Sequence, residues 1–279
     1  MHCADIDFVI IGAAKSATTW LQTQLQSDPQ VYMPDPELHY FSRHHDRGCD
    51  WYCSQFRAPP QAKLIGEKSN SYLYAPRAAE RLHHDLPQVK LIAQLRNPVE
   101  RAYSSYCMLF RRGEVGPDIE AHLDPSLGEN AQLLGSGNFA SHLQPYIELF
   151  GRERLLILFY EGVREAPERQ MARVREHLGL AARPLAVNSE IKVKDKSAPV
   201  VPVRLRKHLA WLKPMVRTQR DTATFKAMRS VIARKICYPD LTPGLRERLN
   251  DYYAPSIAAL EKISGQSLSH WYAPVASVA

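Results

Sequence analysis

The sequence predicts an α/β fold with a central parallel sheet flanked by helices, and three stretches predict it. Phe8 to Ile11, Val89 to Leu95 and Leu155 to Tyr160 are short apolar runs, the pattern of strands buried on both faces. Each run leads into a helical pattern: Leu21 and Leu25 after the first, Pro98 to Tyr106 after the second, Pro167 to Leu178 after the third. Such alternation implies βαβ units with ligands at the carboxyl ends of the strands. At 279 residues and 45% hydrophobic, the chain can bury one sizeable core, so residues 1–279 are expected to form a single domain.

The first strand ends at Gly12, and small residues lead through Lys15 into the first helix. A strand, a tight turn with a lysine and hydroxyls, and a helix N-terminus together suit a phosphate. Backbone N–H groups and the positive helix end attract the anion, and the lysine neutralises it. Ser16, Ala17, Thr18, Thr19 and Trp20 complete the candidate loop. It is not a Walker A loop, which needs G-x-x-x-x-G-K-[ST]; here no second glycine precedes the lysine.

The second strand is preceded by a predicted helix, Ala78 to Leu86, and followed by Arg96-Asn-Pro-Val-Glu-Arg-Ala-Tyr-Ser-Ser-Tyr106. Pro98 suits a helix start, where its missing N–H costs little. Arg96 at the strand end and Ser104 inside the helix offer a guanidinium and a hydroxyl for a second phosphate. Arg111 to Gly135 is polar and turn-rich and reads as a mobile loop over an acceptor cleft. Phe139 to Phe150 has helical spacing, and the helix Pro167 to Leu178 stops at Gly179. Leu241 to Ile263 is an amphipathic C-terminal helix region.

Lys15-Ser-Ala-Thr-Thr19 resembles the K-x-G-T-T loop of sulfotransferases, which grips the 5′-phosphosulfate of 3′-phosphoadenosine 5′-phosphosulfate (PAPS). Ala17 departs from it where glycine is common, and its methyl restricts positive φ. Arg96, Pro98 and Ser104 resemble the 3′-phosphate signature of the same enzymes, about 80 residues further on. Between the two lie Pro36-Glu-Leu-His-Tyr-Phe41, Asp50-Trp-Tyr52 and Gly66-Glu-Lys-Ser-Asn-Ser-Tyr72. These are similar to the E-x-H-F-F, G-x-x-W-Y and E-K-S-x-x-Y segments of heparan-sulfate-type carbohydrate sulfotransferases. The resemblance implies a P-loop-like fold, PAPS as co-substrate, adenosine 3′,5′-bisphosphate (PAP) as product and no metal. It makes Glu37 the catalytic base, places Lys68 beside the reacting groups, and leaves His39 to share or orient the base. It also implies that a late basic segment, here Asn188 to Pro199 with Lys192, Lys194 and Lys196, can close over the nucleotide.

Sulfuryl transfer is an in-line displacement at sulfur, in which an acceptor oxygen attacks and a phosphate oxygen leaves. By analogy with phosphoryl transfer, positioning and charge stabilisation supply most of the catalysis. Lys15 suits the departing oxygen, Lys68, Thr18 and Thr19 suit the transferred group, and Glu37 suits the acceptor proton. The expected acceptor is a hydroxyl of a carbohydrate or glycosylated metabolite, with a non-sugar alcohol or phenol as the alternative.

Two other classes compete. A nucleotide kinase lacks its Walker A glycine–lysine pair and an evident Mg²⁺-binding aspartate here. A nucleic-acid-binding module would use the net charge of +7 and the basic run from Arg204 to Lys235, but no recognition motif accompanies that run. His44-His45 and His83-His84 lack the i, i+4 spacing of a helical zinc motif. The five cysteines are odd in number without a C-x-x-C pair, so no structural disulfide is expected. No signal or membrane-spanning segment precedes the first strand, so the expected compartment is a reduced, bacterial cytoplasm.

Overall fold

The strand Phe8–Gly12 (β1) is the middle of a five-stranded sheet with the order β2-β3-β1-β4-β5, every pairing parallel. Val31–Tyr32 forms β2, Leu64–Lys68 β3, Lys90–Leu95 β4 and Leu155–Phe159 β5. The computed structural model describes residues 3–127, 131–181 and 233–272. The predicted lysines Lys192, Lys194 and Lys196, and the basic run as far as Arg229, lie outside the described residues.

Side-chain alternation along β1 divides the core between the two faces of the sheet. Phe8 and Ile10 point to the side covered by Thr18–Gln26 (α1) and Pro167–Leu178 (α9), against Leu21, Leu25, Met171 and Val174. Val9 and Ile11 point to the other side, which holds the larger cluster. Gly48–Ser54 (α2), Ala78–Asp85 (α3), Pro98–Arg112 (α4), Phe139–Phe150 (α7) and Pro243–Ser264 (α10) contribute to it. Three short helices, Glu120–Leu123 (α5), Ala131–Gly135 (α6) and Tyr160–Glu165 (α8), complete the described set. The expected α/β architecture is therefore what the chain adopts.

The helix ends follow from the sequence. Asn97 caps α4 by accepting hydrogen bonds from the Val99 and Glu100 amides at 2.9 and 3.3 Å, with Pro98 in the first turn. Thr242 caps α10 through the Leu245 amide. Gly179, at φ 77°, closes α9 where a left-handed residue is needed.

Two expectations need correction, and two strands were not expected. Arg111 to Gly135 is not an open loop: it contains α5 and α6, and Ile119, Leu123 and Leu134 are buried in the larger cluster. Their anchors are single apolar residues spaced among polar ones, so the segment reads as surface. The strands β2 and β3 escaped notice, β2 for its length of two residues and β3 for its glycine and two charges. Cys49 is disulfide-bonded, against the expectation of no structural disulfide, while Cys53, Cys107 and Cys237 are thiols. Cysteine count and spacing carry no information on which residues the fold brings together, and the argument for a reduced compartment loses its main support.

Gly66 has a specific steric role. It pairs with Phe8 across β3 and β1, and a Cβ there would lie 2.4 Å from the Phe8 ring, which has no exposed surface. Gly66→Ala is therefore expected to cost about 1–3 kcal/mol by overpacking. Thermal denaturation should show a loss of roughly 2–4 °C per kcal/mol for a chain of this size. Combining it with Phe8→Leu should recover part of the loss, and an unchanged midpoint for Gly66→Ala would refute the steric account.

Candidate active site

Because the sheet is parallel, the carboxyl ends of β3, β1 and β4 lie side by side, and each ends in a segment singled out by the sequence. The loop after β1 is fastened to β4. The Ala13 amide donates to the Gln94 carbonyl at 2.8 Å, and the buried Gln94 side chain donates to the Ser16 carbonyl. Gln170 of α9 holds that side chain in turn at 3.2 Å. Gln94 was missed from the sequence, although a polar residue inside Lys90-Leu-Ile-Ala-Gln-Leu95 was the available signal.

The loop reaches α1 through two left-handed residues, Lys15 at φ 72° and Ala17 at φ 61°. The expected restriction at Ala17 is thus met by accepting the strain, at a cost of about 1–2 kcal/mol for a residue with a Cβ. Ala17 is the N-cap of α1 and provides no side-chain bond to its first amides. Within the loop Ser16 Oγ is buried with no hydrogen-bonding partner, as is Trp20 Nε1 on α1. A buried hydroxyl without a partner beside helix amides that no side chain caps fits an oxyanion at this loop.

A chain of hydrogen bonds connects the loop to β3 and to Glu37. Thr18 Oγ1 donates to Asn70 Oδ1 at 2.7 Å, and Asn70 donates to both oxygens of Glu37 at 2.9 Å, through its amide and its side chain. Lys68, only 4% exposed, pairs with Glu37 Oε1 at 3.0 Å and lies 3.5 Å from Thr19 Oγ1. Sequence reading missed Asn70, although it lies within the quoted Gly66–Tyr72 segment.

His39 is also present, in the left-handed conformation at φ 51°. Its Nδ1 lies 2.8 Å from Ser71 Oγ, whereas Nε2 is 3.7 Å from Glu37 Oε2, too far for a hydrogen bond. Burial pushes the imidazole below its usual range and so favours its neutral form, partly opposed by Glu37. The geometry fits an orienting group.

Arg96 extends from β4 across the mouth of the loop. It reaches the Lys15 carbonyl at 3.5 Å and Glu100 at 3.7 Å, and its guanidinium lies 4.7 Å from the centre of the Tyr160 ring. Glu100 also binds Arg246 of α10 at 2.7 Å. Ser104 is buried in α4, and no hydrogen bond joins it to Arg96. The many tyrosines mostly pack: Tyr40, Tyr52, Tyr72, Tyr106, Tyr146 and Tyr253 are fully buried.

Glu67 is adjacent to Lys68 in β3, so its side chain points to the opposite face, and it is completely buried. Tyr52 and Tyr72 donate to Oε1 at 3.0 and 2.7 Å, and Ser69 donates to Oε2 at 2.8 Å. Burial pushes this carboxyl up to about 7 even though the three hydroxyls favour its charged form. Among the described residues no cluster of three or more His, Cys, Asp or Glu could hold a metal, and no helix is long and apolar enough to cross a membrane.

The sequence matches the family model of the sulfotransferase domain over residues 5–265. The membrane-associated sulfotransferase kil1 of Dictyostelium discoideum is 34% identical over 134 residues, which cover 46% of this chain and 28% of that protein. Heparan sulfate glucosamine 3-O-sulfotransferase 6 of Mus musculus is 30% identical over 176 residues, covering 62% and 52%. The chain thus spans about half, or less, of the length of these relatives. The crystal structure of a sulfotransferase from Alicyclobacillus acidocaldarius shares the fold, with a TM-score of 0.69 at 22% identity over 96% of this chain and 99% of that one.

The buried carboxylate has a measurable consequence. A carboxyl raised in the folded state favours folding while protonated and loses that contribution as pH rises through its folded value, here about 7. Unfolding free energies of the wild type relative to Glu67→Gln should therefore fall between about pH 4.5 and pH 7, by on the order of 3 kcal/mol. A difference independent of pH over that window would show that Glu67 is ionised throughout.

Proposed function

The chain carries a sulfotransferase domain and belongs to that family of enzymes, and on this footing we propose that it transfers a sulfuryl group from PAPS to a hydroxyl of a carbohydrate or glycosylated metabolite. One observation carries the reading: Glu37, its partner Lys68 and the phosphate-loop residues Thr18 and Thr19 form one bonded unit at the strand ends. PAPS supplies the activated sulfuryl group on a phosphate leaving group, and the unpartnered Ser16 hydroxyl and uncapped α1 suit that phosphate.

The chain's own residues have separable tasks in this proposal. Lys15, Ser16, Ala17, Thr18, Thr19 and Trp20 form the 5′-phosphate loop, and Lys15 neutralises the bridging oxygen as the S–O bond to phosphate breaks. Arg96 and Ser104 take the 3′-phosphate, with Arg96 held between Glu100 and Tyr160. Lys68 and Thr19 hold the transferred group. Glu37 takes the acceptor proton while the new O–S bond forms, and Asn70 fixes the rotamer in which it does so. His39 orients the acceptor. The carbohydrate assignment is supported by similarity to proteins described as heparan sulfate glucosamine 3-O-sulfotransferases.

The nucleotide assignment has a binding test. PAP at a hundredfold excess over its dissociation constant should stabilise the fold by about 2.7 kcal/mol in thermal unfolding. Adenosine 5′-phosphate should bind more weakly, with a smaller difference in Arg96→Ala. Equal binding of both nucleotides by the wild type would remove Arg96 and Ser104 from the site.

Activity is tested with labelled PAPS against heparan sulfate oligosaccharides, simple glycosides, alcohols and phenols. Label is expected on a carbohydrate, and label confined to phenols or alcohols would replace the carbohydrate assignment. Glu37→Gln should keep PAP affinity while slowing transfer by about 10²–10⁴-fold. Near-normal kcat in Glu37→Gln beside an inactive His39→Ala would make the histidine the base.

A further inference from the structure

Glu67 has no part in the proposed reaction, yet three hydroxyls converge on it in a fully buried site. One of the three leads back to the site. The Ser69 hydroxyl gives its hydrogen to Glu67 Oε2, and the same oxygen accepts the backbone N–H of His39 at 2.9 Å. A hydroxyl has one hydrogen to give. Spending it on Glu67 leaves the Ser69 lone pairs for His39.

The His39 amide is a critical point in the Glu37 segment. His39 is left-handed, a conformation costly for a residue with a Cβ, so its backbone needs an external restraint. Ser69 supplies that restraint at the N–H. Ser71 supplies another at the ring, and Ser42 connects Ser71 to the His39 carbonyl through contacts of 2.7 and 3.2 Å. Glu37 lies two residues before this pinned amide.

We propose that Glu67 is a positioning residue for the transfer reaction: through the Ser69 hydroxyl it holds the His39 amide and so sets the segment that presents Glu37. The proposal rests on Glu37 being the base. An ionised Glu67 accepts all three hydroxyl hydrogens. A protonated one must place its own hydrogen on a neighbour, and if Ser69 receives it the direction of the chain reverses. The groups facing Glu67 are the Tyr52 hydroxyl from α2, the Tyr72 hydroxyl and Ser69 from the turn after β3, and the Glu37 charge across the strand end. Tyr52 and Tyr72 are themselves pushed well up by burial and by the Glu67 charge, so neither titrates near neutrality.

The test compares Glu67→Gln and Ser69→Ala with the wild type by three measurements. PAP affinity should be unchanged in both variants, because Glu67 faces away from the phosphate loop. Transfer to a heparan sulfate oligosaccharide should lose about 10–100-fold in kcat, the scale of a small misplacement of a reacting group. In ¹⁵N-labelled protein the His39 amide resonance should titrate near pH 7 in the wild type and lose that step in both variants. The lower titration of the His39 ring should survive in both. Wild-type kcat in Ser69→Ala, or a His39 amide step near pH 7 that persists in Glu67→Gln, overturns the proposal. Should Glu67→Gln fail to fold, Ser69→Ala decides by the same readings. The amide titration needs no acceptor, so it judges the linkage even if the carbohydrate reading fails.

Discussion

Burying a lysine ammonium without a counter-charge is costly, and Lys68 is almost wholly enclosed at the end of β3. Its partner is Glu37, on a segment that has left α1, passed through the short edge strand β2 and returned across the strand ends. That ion pair holds the Glu37 segment against the end of β3. Asn70 reinforces it from the same turn, Thr18 ties Asn70 to the loop after β1, and His39 takes a left-handed turn so that the chain can enter the packed segment Tyr40–His44. The loop after β1 depends less on charge pairing and more on backbone, with Gln94 clamping it from β4.

The two neighbouring charges of β3 are accommodated in different ways. Lys68 and Glu67 point to opposite faces of the sheet, so neither can neutralise the other. Lys68 finds a carboxylate at the polar rim, while Glu67 is enclosed and relies on hydroxyl donors. Backbone strain has a matching distribution. Among the described residues four non-glycines have positive φ, and three of them, Lys15, Ala17 and His39, border the site. Packing elsewhere in the fold over-determines those conformations, which a loosely held loop would relax.

The legible parts of the sequence were those with local signals. Phe8 to Ile11 and Val89 to Leu95 declare strands by composition, and Pro98 and Gly179 declare helix ends by their backbone chemistry. Lys15 and Arg96 stood out because each follows such a strand. Glu37, His39 and Lys68 came only through resemblance, since nothing local marks an ion pair between residues 31 positions apart. The supporting residues Asn70, Ser69 and Ser71 were illegible for the same reason, as their meaning lies in tertiary hydrogen bonds, whereas Gln94 had a local signal as a polar residue inside an apolar strand. Arg111 to Gly135 misled because polar composition outweighed the three apolar residues that anchor it.

The central position of β1 bears on how the chain acquires its shape during synthesis. β1 is made first but lies in the middle, pairing Phe8 with Gly66 on one side and with Lys90 on the other. A nascent chain that has emerged only to Lys68 can cover one edge of β1 and must leave the other unpaired. That open edge is apolar on both faces, a template for another chain's strand. Until β4 docks, Ser16 also lacks the Gln94 clamp. Contacts of such sequence separation close slowly, so the edge of β1 that β4 will cover stays open from the completion of β3 until β4 arrives.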